Sequence, residues 1–393
     1  MNNPLFFLMF LLLILIYGAI NYYIGRRGWQ ALFSYMPGLN RPVYWTIFLV
    51  IAFSYLAGRF AEQILPPVLT RVFIILGAFW LGAMFYLLPL LIILDLSGLL
   101  GTVLHIRAKG KKAFRPWLGL IVFLSVLGVV IYGAWNAKHP RVTHYDLAVK
   151  KQAEALSSLH LVMVSDIHLG TINHDGYLRK LVELINQQQP DLILFAGDII
   201  DEEIDSFVEK EITANFPDLK AKYGVYAVLG NHEYIGGNAD EATKFLRAAG
   251  VTVLHDDWVY VADSFYLLGR EDISGANLSG HERKDLVSLM NGLNKNKPII
   301  LLDHQPSELD EPLAQGVDLQ LSGHTHQGQL FPVQFLTSKI FQIDYGYLRK
   351  DNLQVIVSSG YGTWGPPMRV GNKPEIVDIT VNFENGSAPG SQE

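Results

Sequence analysis

Apolar residues in the first third of the chain come in four long runs; further on they come in short bursts between polar stretches. Residues 4–25 carry no charge and are long enough, as a helix, to cross about 30 Å of hydrocarbon. Residues 42–58 form a shorter run ending at Gly58 and Arg59, residues 72–100 a third run broken near Pro89 and Asp95, and residues 117–135 a fourth. These lengths predict about four transmembrane helices within residues 1–141. No basic stretch precedes the first run and further apolar runs follow it, so an anchor is expected rather than a cleaved leader. Asp95 is an acid inside a span, which marks a pathway or a partner, or an interfacial position given its place near the segment end.

From residue 142 the pattern changes to short apolar runs alternating with helical spacing, the signature of an α/β domain over residues 142–383. Strands are expected at Leu159–Ser165, Asp191–Ala196, Val225–Leu229, around Val251 and Phe265, and at Ile299–Leu302, Leu319–Ser322, Leu353–Ser358 and Ile376–Val381. Tyr177–Gln188, Asp240–Ala249 and His281–Asn291 have the apolar spacing of helices. The polar stretch 384–393 reads as a disordered tail.

Charge divides the 393 residues at the same place. Residues 1–141 carry 12 Lys or Arg against Glu62 and Asp95, whereas residues 142–393 carry 19 basic and 35 acidic side chains. The acidic part does not suit a nucleic-acid surface, which needs clustered Lys and Arg. In the apolar part, Arg26, Arg27 and Arg41 follow the first run, and Arg107, Lys109, Lys111, Lys112 and Arg115 lie between the third and fourth. Positive loops stay inside, which puts the acidic domain outside the cytoplasm, although Lys138 and Arg141 pull weakly the other way. Cysteine is absent, so disulfides, thiolate metal ligands and a thiol nucleophile are excluded.

Candidate chemistry sits where strands end. The motifs are SDIHLG at 165–170, GDII at 197–200, GNHE at 230–233, DHQP at 303–306 and GHTHQGQ at 323–329. Loops beyond the carboxyl ends of strands in an α/β sheet converge on one crevice, so these five segments are expected to meet. They offer oxygens from Asp166, Asp198 and Asn231 and imidazoles from His168, His304, His324 and His326. That mixture suits Mn, Fe, Co or Zn better than Mg or Ca. Gly197, Gly230 and Gly323 precede ligands and are expected to let the backbone turn sharply.

The ordered set D-x-H, G-D, G-N-H-E, H and G-H-x-H resembles the calcineurin-like metallophosphoesterase superfamily, over nearly all of residues 158–382. The stretch at 345–376 is similar to the bacterial, membrane-associated YaeI/YkuE-like branch. The resemblance implies a four-layer α/β/β/α sandwich with two metal ions at its rim, and residence in a bacterial inner membrane. It implies one metal held by Asp166, His168, Asp198 and His326, and a second held by Asp198 as bridge with Asn231, His304 and His324. It makes His232 the outer histidine near the phosphoryl group, as general acid or electrostatic clamp. Gln327 departs from the branch, which has Gly there. Glu233 is a candidate to orient His232, and Arg369, Arg270 and Asp272 are candidates for phosphate or head-group contact.

The function this implies is a membrane-anchored phosphodiesterase or phosphatase that acts on a lipid or lipid-linked phosphate through hydroxide activated by two metals. One alternative is a UDP-2,3-diacylglucosamine pyrophosphatase-like hydrolase of lipid A synthesis, which the outside placement of the domain opposes. The other is a non-catalytic scaffold or receptor, which the complete ligand set opposes.

Overall fold

The computed structural model describes residues 4–62, 64–104, 116–174, 176–201, 206–275 and 283–384. The basic residues of the third loop, His281 and Glu282, and nearly all of the polar tail lie outside the described residues. The chain divides into two compact units, one built from the N-terminal helices with Gly365–Met368, the other from Asn136–Trp364 and Arg369 onward.

The helical unit consists of α1 (Pro4–Tyr35), α2 (Arg41–Phe60), α3 (Pro67–Val103) and α4, which ends at Asn136 (Pro116–Asn136). All four are long and apolar enough to cross a membrane. Leu13, Leu15 and Ile93 remain more than half exposed, as side chains facing hydrocarbon would be. The third run is one span, as expected, and α3 continues through Pro89 as a single helix of 37 residues. Proline removes one intrahelical hydrogen bond, and the bonds on either side keep the segment helical. Asp95 has a partner: its Oδ2 accepts from Tyr23 Oη at 2.7 Å and from Arg27 Nε at 3.1 Å.

The second unit contains two six-stranded sheets. The first has the order β1 (Arg141–Val149), β12 (Glu375–Phe383), β2 (Ser158–Val164), β3 (Leu192–Ala196), β4 (Val225–Val228), β5 (Thr252–Val253). The second has the order β10 (Gly346–Lys350), β11 (Leu353–Val357), β9 (Leu319–Ser322), β8 (Ile299–Leu302), β7 (Phe265–Gly269), β6 (Asp257–Val261). β2 to β5 run parallel, as do β7, β8, β9 and β11. Three cores define four layers. Leu159, Leu161 and Met163 of β2 point to the core between the sheets, while Val162 and Val164 point to the helical layer beyond. Burial on both faces is why this strand reads as a nearly continuous apolar run.

Helix α5 (Tyr177–Gln187) buries Leu178, Leu181, Val182 and Ile185 on the outer face of the first sheet. Their i, i+3, i+4, i+7 spacing leaves Arg179, Lys180 and Glu183 to solvent, and each buried leucine contributes about 1.5–3 kcal/mol. A charge at Leu181 would break that seam. The second sheet's outer face is closed by Leu286, Leu289, Met290 and Leu293.

The helix expected at His281–Asn291 is, among described residues, one turn at Leu286–Leu289. Asp285 starts it late, its carboxylate accepting from Ser288 N at 2.8 Å. β1 was not expected. It pairs parallel with β12 from Arg141↔Glu375 to Val149↔Phe383, and only its inner side chains Leu147 and Val149 are buried.

Candidate metal centre

The five motifs converge at the carboxyl ends of parallel strands from both sheets. Asp166 and His168 follow β2, Asp198 follows β3, and Asn231 and His232 follow β4; His304 follows β8, and His324 and His326 follow β9. Ligating atoms of Asp166, His168 and His326 lie within 4.8 Å of one another, and so do those of Asp198, His304 and His324. Asp198 Oδ2 is 3.2 Å from His304 Nε2 and 3.8 Å from His168 Nε2, between the two groups. Asn231 Oδ1 lies 2.8 Å from His324 Nδ1 and 3.2 Å from His304 Nε2.

The donor set fits cations. His304 Nδ1 is 2.8 Å from the Ala196 carbonyl, which fixes the proton there and leaves a lone pair on Nε2. That lone pair faces the Asp198 and Asn231 oxygens, three acceptors turned toward one space. In the other group, His168 Nε2 and His326 Nε2 are 3.0 Å apart, with Asp166 Oδ1 3.5 Å from the latter. Neutral imidazole with carboxylate and amide oxygen is a donor set for borderline divalent or trivalent metals.

The loops achieve this with strained backbone. Asp166, His168, Asp198, His324 and His326 all have positive φ, between 48° and 72°. Gln327 does too, at 48°, which is a physical reason for glycine to be the common residue there in the branch it resembles. Of the three glycines expected to turn the chain, only Gly197 has positive φ, at 86°. A Cβ there would lie 2.5 Å from His304 Nδ1, so this glycine also admits the ring. Gly323 serves only for closeness, since a Cβ would meet Asp166 Oδ2 at 2.4 Å. The turning falls to the ligands themselves.

His232 lies beside this set, its ring 4.6 Å from that of His168. Its Nδ1 is 3.1 Å from Asp201 Oδ1, and Asp201 also stands 3.6 Å from His168 Nδ1. Burial would depress the His232 pKa, but the hydrogen bond to Asp201 and the charges of Asp198 and Asp201 raise it to about 9. Asp201 was missed by the sequence reading, although it stands three residues after Asp198, one beyond the quoted motif. Glu233 does not orient His232. Its carboxylate accepts from Gly230 N at 2.8 Å and from Ile200 N at 2.9 Å, so it joins the loops after β3 and β4 instead.

The arginines are not where the sequence suggested. Arg369 is fully buried. Its Nε donates to Gly362 O at 3.1 Å and its Nη2 to Gly362 O at 2.6 Å and Gly360 O at 3.1 Å, with His326 Nδ1 3.2 Å away. Burial lowers its pKa to about 10, so it remains a cation. It stands behind a ligand ring, which corrects the expectation of head-group contact. Arg270, also buried, donates to Glu311 Oε2 at 2.7 Å and to Lys284 O at 3.1 Å, and Asp272 accepts from Gln305 at 3.0 Å. Asn173 and Asn372 were also missed. Asn173 Nδ2 donates to His168 O at 2.9 Å, and Asn372 Nδ2 to His326 O at 3.2 Å, so each pins a ligand loop.

Residues 159–328 match the family described as calcineurin-like phosphoesterase. A transmembrane protein with metallophosphoesterase domain from Danio rerio is 32% identical over 287 residues, 70% of this chain. This chain covers 64% of that relative, just under two thirds. An uncharacterized metallophosphoesterase of Campylobacter jejuni is 34% identical over 293 residues, 71% of this chain and 74% of its own length. YkuE of Bacillus subtilis, another uncharacterized metallophosphoesterase, is 29% identical over 239 residues, 57% of this chain and 79% of its own.

Proposed function

Because the chain belongs to the calcineurin-like metallophosphoesterase family, we propose that it is a membrane-anchored, metal-dependent hydrolase of a lipid or lipid-linked phosphoester. The observation that carries the reading is the pair of ligand groups meeting at Asp198 with His232 alongside. Asp166, His168, Asp198 and His326 would hold one metal, and Asp198, Asn231, His304 and His324 the other. Such a pair, when bound, supplies Lewis acidity that activates water and neutralises phosphoryl charge.

The remaining chemistry belongs to the chain. Asp198 keeps both groups in register through one carboxylate oxygen, while its other oxygen accepts from His232 N at 2.9 Å. Asp201 accepts the hydrogen bond from His232 Nδ1, so the Nε2 hydrogen is the one available to a phosphoryl or departing oxygen. A lipid substrate is supported by the four candidate spans on the same chain, which hold the domain at high effective concentration near a bilayer. The asymmetry of basic loops supports an outward-facing domain.

The test is hydrolysis of bis(p-nitrophenyl) phosphate and p-nitrophenyl phosphate by full-length protein loaded with Mn, Fe, Co or Zn, with metal content measured in parallel. Two equivalents of metal and turnover of at least one ester are expected. Protein that binds two equivalents and hydrolyses neither, nor any phospholipid offered, would overturn the reading.

A further inference from the structure

The rim beside the metal centre carries largely exposed apolar side chains. Residues 330–343 (LFPVQFLTSKIFQI) contain a single charge, Lys339, in a domain otherwise rich in acids. They form the helix α6 (Gln334–Ile340), none of whose residues is buried. Phe335, Leu336 and Ile340 are 61%, 58% and 63% exposed. A seven-residue helix is too short to persist by itself, and this one has no buried stripe to hold it.

It is nonetheless tied down, and tied to the centre. Phe331 N donates to Val370 O at 2.8 Å, and Gln329 clasps the Trp364 backbone with bonds of 2.8 and 2.9 Å. The Phe341 ring is 6.0 Å from His324, and the Trp364 ring, half exposed, is 5.6 Å from His232. Aromatic groups therefore flank the ligands from two sides, one continuous in sequence with exposed Phe335, Leu336 and Ile340. Exposed apolar surface held rigidly next to a reactive centre marks a binding face.

We infer that this rim, Phe335, Leu336 and Ile340 with Phe341 and Trp364, takes the hydrocarbon chain of an anionic amphiphilic phosphoester whose phosphate lies at the metal centre. The inference rests on the phosphoesterase reading and names the apolar half of its substrate. The occupant follows from charge and position. A lone lysine among apolar groups matches a chain joined to an anionic head, whereas the acidity of the surrounding domain repels larger polyanions.

Two diesters with the same reacting atoms separate the terms: p-nitrophenyl methyl phosphate and p-nitrophenyl dodecyl phosphate, given to full-length protein in phosphatidylcholine nanodiscs. Each methylene moved onto the rim is worth about fourfold, so a preference for the dodecyl ester of at least about tenfold in kcat/KM is expected. The variant Phe335→Ser/Leu336→Ser/Ile340→Ser should hydrolyse the methyl ester within about twofold of wild type and lose most of the preference. Phe335→Ser alone should lose part of it, which covers the case of a misfolded triple variant. An undiminished preference in the variants, an equal loss on both esters with the fold intact, or a change from dimer to monomer on substitution would each overturn the inference. The last would assign the face to a second copy of the chain. Wild type inactive on both esters would bring down the phosphoesterase reading itself, and the inference with it.

Discussion

Replacing Arg369 with methionine tests whether a buried cation supports the metal ligands or meets the substrate. Methionine nearly matches the aliphatic stem in volume, so the loss should come from hydrogen bonds rather than a cavity. Arg369 supplies the Gly360 and Gly362 carbonyls, and the latter receives bonds of 3.1 and 2.6 Å. Leaving a buried acceptor without a donor costs about 1–3 kcal/mol. Only Gly362 O is orphaned, because Gly360 O still accepts from Glu375 N at 3.0 Å, so the loss is about 1–3 kcal/mol, which in a domain of this size lowers Tm by roughly 2–10 °C. The damage should be local, because Gly362 N donates to Asp166 O at 2.6 Å and Tyr361 N to Ser165 O at 2.9 Å. Asp166 and His326, both in the first ligand group, lose their backing directly, whereas Asp198, His304 and His324 are reached only through the bonds that tie their loops to the loop of Asp166. Metal at the first group should weaken by about 10–100-fold while the second equivalent stays bound. Arg369→Lys, which keeps the charge and some donors, should fall between. Thermal denaturation with and without metal, and metal content after dialysis against a weak chelator, give the readouts. Unchanged Tm and metal content with kcat/KM down tenfold or more would refute the supporting role and return Arg369 to the substrate.

Asp198→Asn should abolish hydrolysis with the domain still folded by circular dichroism; near-normal turnover with metal bound would remove Asp198 from the bridging position. His232→Asn should lower turnover by about 100-fold or more with both metals retained, the loss being larger for an alkyl ester than for a nitrophenyl ester if the ring donates a proton. Asp201→Asn should cost about 10–100-fold by releasing His232, and the double variant should be scarcely worse than His232→Asn; additive losses would separate the two residues. A reporter fused after Glu393 should be active outside the cytoplasm, and a fusion active only inside would reverse the orientation drawn from the basic loops.

What could be read from sequence followed burial. β2, β3, β8 and β9 are buried along nearly their whole length, so their apolar runs stand out, and the residues just beyond them had to be the site. β1 hid because His144, Asp146 and Ala148 face outward, and its partner β12 lies more than 220 residues away. Asp201 hid because one carboxylate after a ligand motif looks like a loop acid until a histidine 31 residues later arrives at its side. Arg369 misled because a cation in a Gly-Pro-rich loop reads as exposed, and only tertiary structure brings three carbonyl contacts around it. Asp95 likewise needed Arg27, 68 residues away, to become an ion pair rather than a pathway residue.

The strain at the ligands gives the fold its connection to chemistry. A non-glycine residue in the left-handed region costs on the order of 1–3 kcal/mol, and five ligands adopt it together. Such conformations persist only where neighbours over-determine them, and here the neighbours are the other ligand loops. Asp166 N donates to Gly197 O at 3.0 Å and His168 N to Asp198 O at 3.0 Å, which zips the loop after β2 to the loop after β3. Gly323 N donates to His304 O at 2.9 Å, and His324 N to Asp166 Oδ1 at 3.0 Å, which joins the second sheet's pair of loops to each other and to the first sheet. The amides of Asp166, His168 and His324, three of the five left-handed ligands, therefore find their acceptors in another ligand segment, and each segment starts from a strand buried in the core between the sheets. That cross-linking holds the ligand segments to one another. It also follows that no ligand loop can relax alone: a change that frees one left-handed residue removes hydrogen bonds from the loop beside it.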